Sequence, residues 1–240
     1  MQVFNLIIPK NGEADKDCED RLGVATGPET ILRAAVADGA TSTAFSGEWA
    51  ALLVNEFCDS AFQDWDDFYR RCGRAAKRWK MEVLSQQRPW HALLRSKNGA
   101  AAAFAGIELS LTDCKWKASA LGDSCVFHVR SGRIICSLPP YLPEDFGHHP
   151  RLMSTDSEKN VELKDFYKNA SGAFENGDKF ILATDAVAEA LLRADRNCGE
   201  MEKWTRALSS GSEIARRYIQ MKRASEDLQD DDVAIVVIEI

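Results

Sequence analysis

Eight short apolar runs recur along this 240-residue chain, at 4–8, 31–37, 100–111, 116–121, 126–129, 133–137, 180–183 and 233–240. Several are apolar at consecutive positions instead of alternating, as in Ala34-Ala35-Val36-Ala37 and Val233-Ala234-Ile235-Val236-Val237. Successive side chains of a strand point to opposite faces, so such a run must be covered on both. The Ala-rich stretch at 100–105 has helical propensity, but it continues into Ile107-Glu-Leu-Ser-Leu, which alternates like a strand. Helical periodicity lies between the runs. Residues 47–58 place Trp49, Leu52, Leu53 and Phe57 on one stripe. Residues 65–95 read as one long helix or two, interrupted at Pro89. A short helix is expected at 186–193, and another at 201–221 with Trp204, Leu208, Ala215, Tyr218 and Ile219 near one face. Ser131-Gly132 marks a hairpin turn. Residues 138–162 hold four of the seven prolines and the pair His148-His149, and predict a long surface loop. The order of strands, two helices, strands, helices and strand predicts an α+β sandwich with helices outside antiparallel sheets, in one domain spanning 1–240.

Charge narrows the function classes. The formal net charge is −7, which argues against nucleic-acid and anionic-membrane partners, since both need a basic footprint. A polyanionic substrate would need positive charge supplied locally. The first residues are apolar but too short for a signal core or a membrane span, and read as an edge strand. The seven cysteines include no Cys-x-x-Cys pair, so zinc and redox motifs are unsupported. Reduced cysteines and a cytoplasmic location are the expectation. The cluster Arg70-Arg71-Cys-Gly-Arg74-Ala-Ala-Lys77-Arg78 reads either as a solvated helix face or as a docking surface for an acidic or phosphorylated partner.

Aspartates stand at the ends of the apolar runs. Asp38 follows 31–37, Asp185 follows 180–183, and Asp231 and Asp232 precede 233–240. Asp123 sits in Leu121-Gly-Asp-Ser between two strands, and Asp20 closes the acidic stretch from Asp15. Carboxylates gathered on one rim repel strongly unless protonated or neutralised. A hard divalent cation neutralises them, and oxygen-only ligands suit Mg²⁺ or Mn²⁺. Gly39, lacking a Cβ, lets its backbone carbonyl approach such an ion. Singly, each aspartate fits a turn or a cap equally well.

In order, these motifs resemble the metal-dependent protein phosphatases of the 2C type (PPM family), in the form of a compact bacterial-like member. Glu19-Asp20 matches the early acidic pair, Ala37-Asp38-Gly39 the Asp-Gly motif, and Leu121-Gly122-Asp123-Ser124 the Gly-Asp-Ser motif. Leu182-Ala-Thr-Asp185 and Asp231-Asp232-Val-Ala-Ile match the two closing motifs. The resemblance covers nearly the whole chain. It implies a four-layer α-β-β-α sandwich of two antiparallel sheets flanked by helices. It also implies two Mn²⁺ or Mg²⁺ ions. Asp38 would bridge them, the Gly39 carbonyl and Asp20 would help hold one, and Asp185 and Asp231 the other. Glu19 would bind metal-coordinated water, and Asp232 belongs to the closing pair. Asp123, Asp185 and Glu189 would hold a weaker third ion. Asp38, Asp185 and Asp231 are the expected catalytic set, with a metal-bridging water acting as hydroxide in line on a phosphoserine or phosphothreonine. A monomer is expected. Its partner would be a phosphorylated protein substrate, such as a cognate serine/threonine kinase or that kinase's target.

The chain departs from the family pattern in several places. Ala40 stands where many members carry a His, and Asp15 where animal-type members carry a phosphate-binding Arg. Ala186 and Ala234 replace a Gly and a Thr. Lys16 and Arg21 are candidate substitute phosphate ligands, and His148-His149 read either as a substitute acid or as an exposed pair with no role. The departures leave two alternatives open: a regulatory or binding module with weak or no catalysis, and a phosphatase acting on small phosphorylated metabolites.

Overall fold

The computed structural model describes residues 1–85, 96, 98–147 and 150–240. Its strands form two antiparallel sheets. The first has the order β1-β11-β10-β6-β7, with β1 at Gln2–Ile8, β6 at Cys125–Arg130, β7 at Arg133–Leu138, β10 at Lys179–Ala183 and β11 at Val233–Glu239. The second has the order β2-β3-β4-β5-β9, with β2 at Arg21–Thr26, β3 at Ile31–Gly39, β4 at Ala101–Ser110, β5 at Lys115–Leu121 and β9 at Lys168–Ala173. A two-residue strand, β8 (Met153–Ser154), pairs with the start of β4.

The consecutive apolar positions separate into three buried clusters. Between the sheets lie Leu32, Ala34 and Val36 of β3, Ile107 and Leu109 of β4, Phe180 and Leu182 of β10, and Ala234, Val236 and Ile238 of β11. The alternate positions face outward. Ala35, Ala37 and Phe104 pack under α1 (Ser46–Asp59) and α2 (Trp65–Ser85), against Trp49, Leu53, Phe57, Phe68 and Trp79. Ile181, Ala183, Ile235 and Val237 pack under α3 (Asp185–Arg196), α4 (Glu200–Leu208) and α5 (Ser212–Ala224), against Leu191, Trp204 and Ile219. The result is the expected α-β-β-α sandwich, and β1 is an edge strand.

Several elements differ from the sequence reading. The helix expected at 201–221 is two, because the chain turns at Ser209-Ser-Gly211 and Gly211 adopts φ +100°, which L side chains rarely tolerate. Strands β2 and β9 carry little apolar signal. β2 is half-buried, and a Cβ on Gly23 would lie 2.6 Å from Val54 Cγ1 of α1. β9 is a polar edge strand, with Gly172 pressed on the Trp116 ring. The loop 138–162 is irregular but anchored. Trp49 Nε1 donates to the Met153 carbonyl at 2.8 Å, and the buried Asn160 amide brackets Ser154. Arg196 of α3 forks onto Glu144, whose carboxyl it holds down at about 2. The second half of the helix expected at 65–95, including Pro89, and the pair His148-His149 lie outside the described residues. Ser131 and Gly132, both at positive φ, form the β6–β7 hairpin turn.

Candidate functional site

Strand register brings the aspartates to one end of the sandwich. Arg21 pairs with Ala37, so Asp20, just before β2, lies across from Asp38 near the end of β3. Asp38 shares the inward-facing parity of Leu32, Ala34 and Val36. In the other sheet Ala183 pairs with both Ile235 and Cys125, which places Asp185, Asp231 and Asp123 just beyond the same edge. Thr184 locks that edge: its peptide N–H donates to the Ala234 carbonyl at 3.1 Å and its hydroxyl accepts from Ala234 N–H at 2.9 Å.

Two glycines permit chain segments around the second sheet to approach closely at this end. Gly122 turns the chain at φ +92°, and a Cβ there would meet Ala103 Cβ at 2.7 Å. Ala103 is the strand partner of Asp38, so this contact sets Asp123 beside Asp38. At Gly39 a Cβ would lie 2.8 Å from the Glu19 carbonyl oxygen and 2.8 Å from the Ser46 carbonyl carbon. Three chain segments therefore meet at a point where no side chain fits.

Asp38, Gly39, Asp123, Asp185, Glu189, Asp231 and Asp232 all line one cavity of about 340 Å³. Asp20 is 1% exposed and close enough for its charge to act on Asp38. Burial and the neighbouring carboxylates push Asp20 and Asp38 well above the usual carboxylate range. Burial, Asp123 and Asp231 raise Asp185 to about 7, and burial with the Asp231 charge raises Asp123 to about 6. Among the described residues lining the cavity there is no Lys or Arg.

The donor set fits a hard cation. Every candidate ligand is an oxygen, and the charges are of one sign. Asp20 Oδ2 and Asp123 Oδ1 are buried with no hydrogen-bond partner among the described residues, which is costly for a carboxylate. Gly39 leaves its carbonyl unobstructed by a side chain. Among the described residues, however, no three Asp, Glu, His or Cys side chains are already gathered into a group that could hold a metal ion.

The remaining predicted residues have structural partners. Asp232 is 6% exposed, and its two oxygens accept the peptide N–H of Lys10 at 2.9 Å and of Glu19 at 2.6 Å. Glu19 accepts the Ser46 hydroxyl through Oε1. Glu189 lines the cavity and pairs with Arg193 one turn on. Arg21, weighed above as a phosphate ligand, instead donates from Nη1 to the carbonyls of Cys18 at 2.6 Å and Asp20 at 2.8 Å. Lys16 is exposed.

Sequence reasoning missed a second guanidinium of this kind. Arg223 of α5, 7% exposed, donates to the Asp231 carbonyl and, at 2.9 Å, to the Pro9 carbonyl. Arg21 and Arg223 thus each hold the backbone of an aspartate-bearing segment from behind the cavity. No local motif announces Arg223, because its partners are 8 and 214 residues away.

The fold and motifs agree with what is known of other proteins. No curated protein is significantly similar in sequence. Among solved structures, the serine/threonine phosphatase Stp1 from Staphylococcus aureus superposes with a TM-score of 0.67 at 12% identity, covering 100% of this chain and 95% of that one. A bacterial serine phosphatase gives 0.63 at 13% identity, with 99% and 96% covered. RsbX, solved in complex with magnesium, gives 0.52 at 16% identity, with 98% and 93% covered. At these identities the likeness concerns the fold. The sequence model of protein phosphatase 2C matches residues 10–229, nearly the whole chain and every motif but the last, so this chain belongs to the protein phosphatase 2C family.

Proposed function

We propose that this chain is a metal-dependent phosphatase of phosphoserine and phosphothreonine in proteins, working as one domain. The observation that carries the reading is the cavity where the two sheets meet, whose described charged lining is entirely carboxylate, with two buried carboxylate oxygens that have no partner among the described residues. Asp38, on the inward face of β3, would be a ligand of the Mg²⁺ or Mn²⁺ ions. Asp20, the Gly39 carbonyl, Asp185 and Asp231 would hold the ions with it. Asp123 and Glu189, with Asp185, offer a weaker third position. When bound, such ions supply an acidified water for in-line attack and positive charge for the phosphoryl oxygens.

The chain's own residues hold the frame for that chemistry. Thr184 sets the spacing of Asp185 and Asp231 by joining β10 to β11. Asp232, with both oxygens on peptide N–H groups, ties the Glu19-Asp20 segment to β11. Phe146, Pro150 and Leu152 form an apolar wall of the cavity, which limits water on that side. The seven free cysteines, three of them buried, support a reducing, cytoplasmic setting. A monomer acting on a phosphorylated protein, such as a cognate kinase or its target, is the simplest form of the proposal.

The test is hydrolysis of a phosphothreonine peptide with and without Mn²⁺. Wild type should turn over only with added metal, and Asp38→Asn should lose on the order of 10²–10³-fold in kcat, the scale of one removed electrostatic group. Equal rates for the two proteins refute the reading. If Mn²⁺ binds by calorimetry but no phosphopeptide or phosphometabolite is hydrolysed, the chain is a regulatory module instead.

A further inference from the structure

The cavity poses a problem for a phosphorylated protein. Bound metal ions would meet the phosphoryl group, but the described lining is acidic without a cation and repels any acidic residues that flank it. Attraction for such a segment must come from elsewhere on the surface.

Helix α2 supplies it. Phe68, Cys72, Ala75, Trp79 and Val83 bury one stripe of the helix against the sandwich. The other side exposes Arg70, Arg74, Lys77, Arg78 and Lys80. Arg70 pairs with Asp67, and Arg78 with Glu56. Arg74, Lys77 and Lys80 form no ion pair among the described residues. Spaced three apart, they follow one side of the helix for about 9 Å of its axis. Three uncompensated cations together run against the net charge of −7.

Their position matters as much as their sign. Trp79 Nε1 donates to the Phe45 carbonyl at 3.1 Å, which sets the last turns of α2 beside the loop entering α1. Residues Ala40, Thr41 and Ser42 of that loop line the acidic cavity. Lys80 follows Trp79 in the chain, so the basic row ends level with that loop, on the solvent side of the helix.

We propose that Arg74, Lys77 and Lys80 dock an acidic segment of the phosphoprotein substrate, flanking the phosphorylated residue. The inference rests on the phosphatase reading for its substrate but not for its binding site. A membrane surface is the less favoured occupant, because the apolar stripe of α2 is already buried and among its described exposed side chains only Met81 and Tyr69 are large and apolar. Nucleic acid is disfavoured by the overall acidity.

The experiment uses the whole chain carrying Arg74→Glu, Lys77→Glu and Lys80→Glu together. A labelled, unphosphorylated peptide with a run of Asp and Glu is titrated by fluorescence anisotropy at low salt, a readout that needs no catalysis. Wild type should bind at least about tenfold tighter than the variant, with the difference vanishing near 0.5 M salt, as expected for exposed charges. The Gln triple variant should fall between them, and circular dichroism should show all three folded. With phosphopeptides, KM should rise for an acidic-flanked substrate while kcat on an aryl phosphate stays unchanged. Equal binding of the acidic peptide by wild type and variant overturns the proposal. So does preferential binding of phosphatidylserine vesicles or of a DNA duplex. Absence of turnover in wild type, with peptide binding intact, sinks the phosphatase reading but leaves the docking surface standing.

Discussion

Replacing Asp185 by Asn should stabilise the metal-free protein while abolishing its response to metal. The reasoning starts from the cavity, where burial and the charges of Asp123 and Asp231 raise Asp185 from 3.8 to about 7. A carboxyl whose folded-state pKa is raised binds its proton more tightly in the folded chain. Its contribution to stability is therefore complete below about pH 4 and lost as the pH climbs through 7. Between pH 5 and pH 8 roughly two units of this shift are traversed, which corresponds to about 3 kcal/mol. For a domain of this size that is a fall of roughly 6–12 °C in Tm. Asp123, raised to about 6, titrates in the same window and in the same direction and adds to the fall, whereas Glu144, held down at about 2, titrates below it. Asn keeps the oxygen that accepts Ala186 N–H at 2.6 Å but carries no charge. The assay is thermal denaturation in a chelator at pH 5 and pH 8, repeated with Mn²⁺. Wild type should lose stability toward pH 8 and recover it with Mn²⁺. Asp185→Asn should melt higher than wild type at pH 8 in chelator, match it at pH 5, and gain little from Mn²⁺. A variant less stable than wild type at pH 8, or a wild type indifferent to pH, would refute the account of mutual repulsion.

Two further substitutions probe the frame behind the carboxylates. Gly39→Ala should cost about 1–3 kcal/mol, because its methyl would press on backbone at 2.8 Å from both the Glu19 and Ser46 segments; thermal denaturation measures the loss, and Mn²⁺ titration should show weaker binding as the segments part. Arg223→Met should weaken Mn²⁺ binding by roughly 10–100-fold, the usual effect of removing a group that orients a ligand, with Arg223→Lys partly restoring it. Unchanged Mn²⁺ affinity in folded Arg223→Met would mean that Asp231 is positioned without the guanidinium.

The apolar runs revealed most of the sandwich because a strand covered on both faces has to be apolar at every position, and that demand is local. The same logic fails at β2 and β9, where a half-buried or polar edge strand needs no such run. It fails again between α4 and α5, where a continuous apolar stripe hides the turn at Gly211. The aspartates at strand ends were legible for a related reason. A buried strand ends where the chain reaches solvent or an ion, and Asp38, Asp123, Asp185 and Asp231 sit at such ends.

What each carboxylate touches was not legible. Asp231 and Asp232 are neighbours in the chain and both line the cavity, yet one has its carbonyl held by Arg223, while the other spends both oxygens on peptide N–H groups from the segment before β2. Arg21 turns to backbone carbonyls for the same reason. Side-chain periodicity and the order of motifs are properties of neighbouring residues, so the sequence by itself determined the layers, the family and the set of acids. Hydrogen-bond partners 200 residues apart are chosen by strand register and by how two sheets close on each other, and only the tertiary structure decided those.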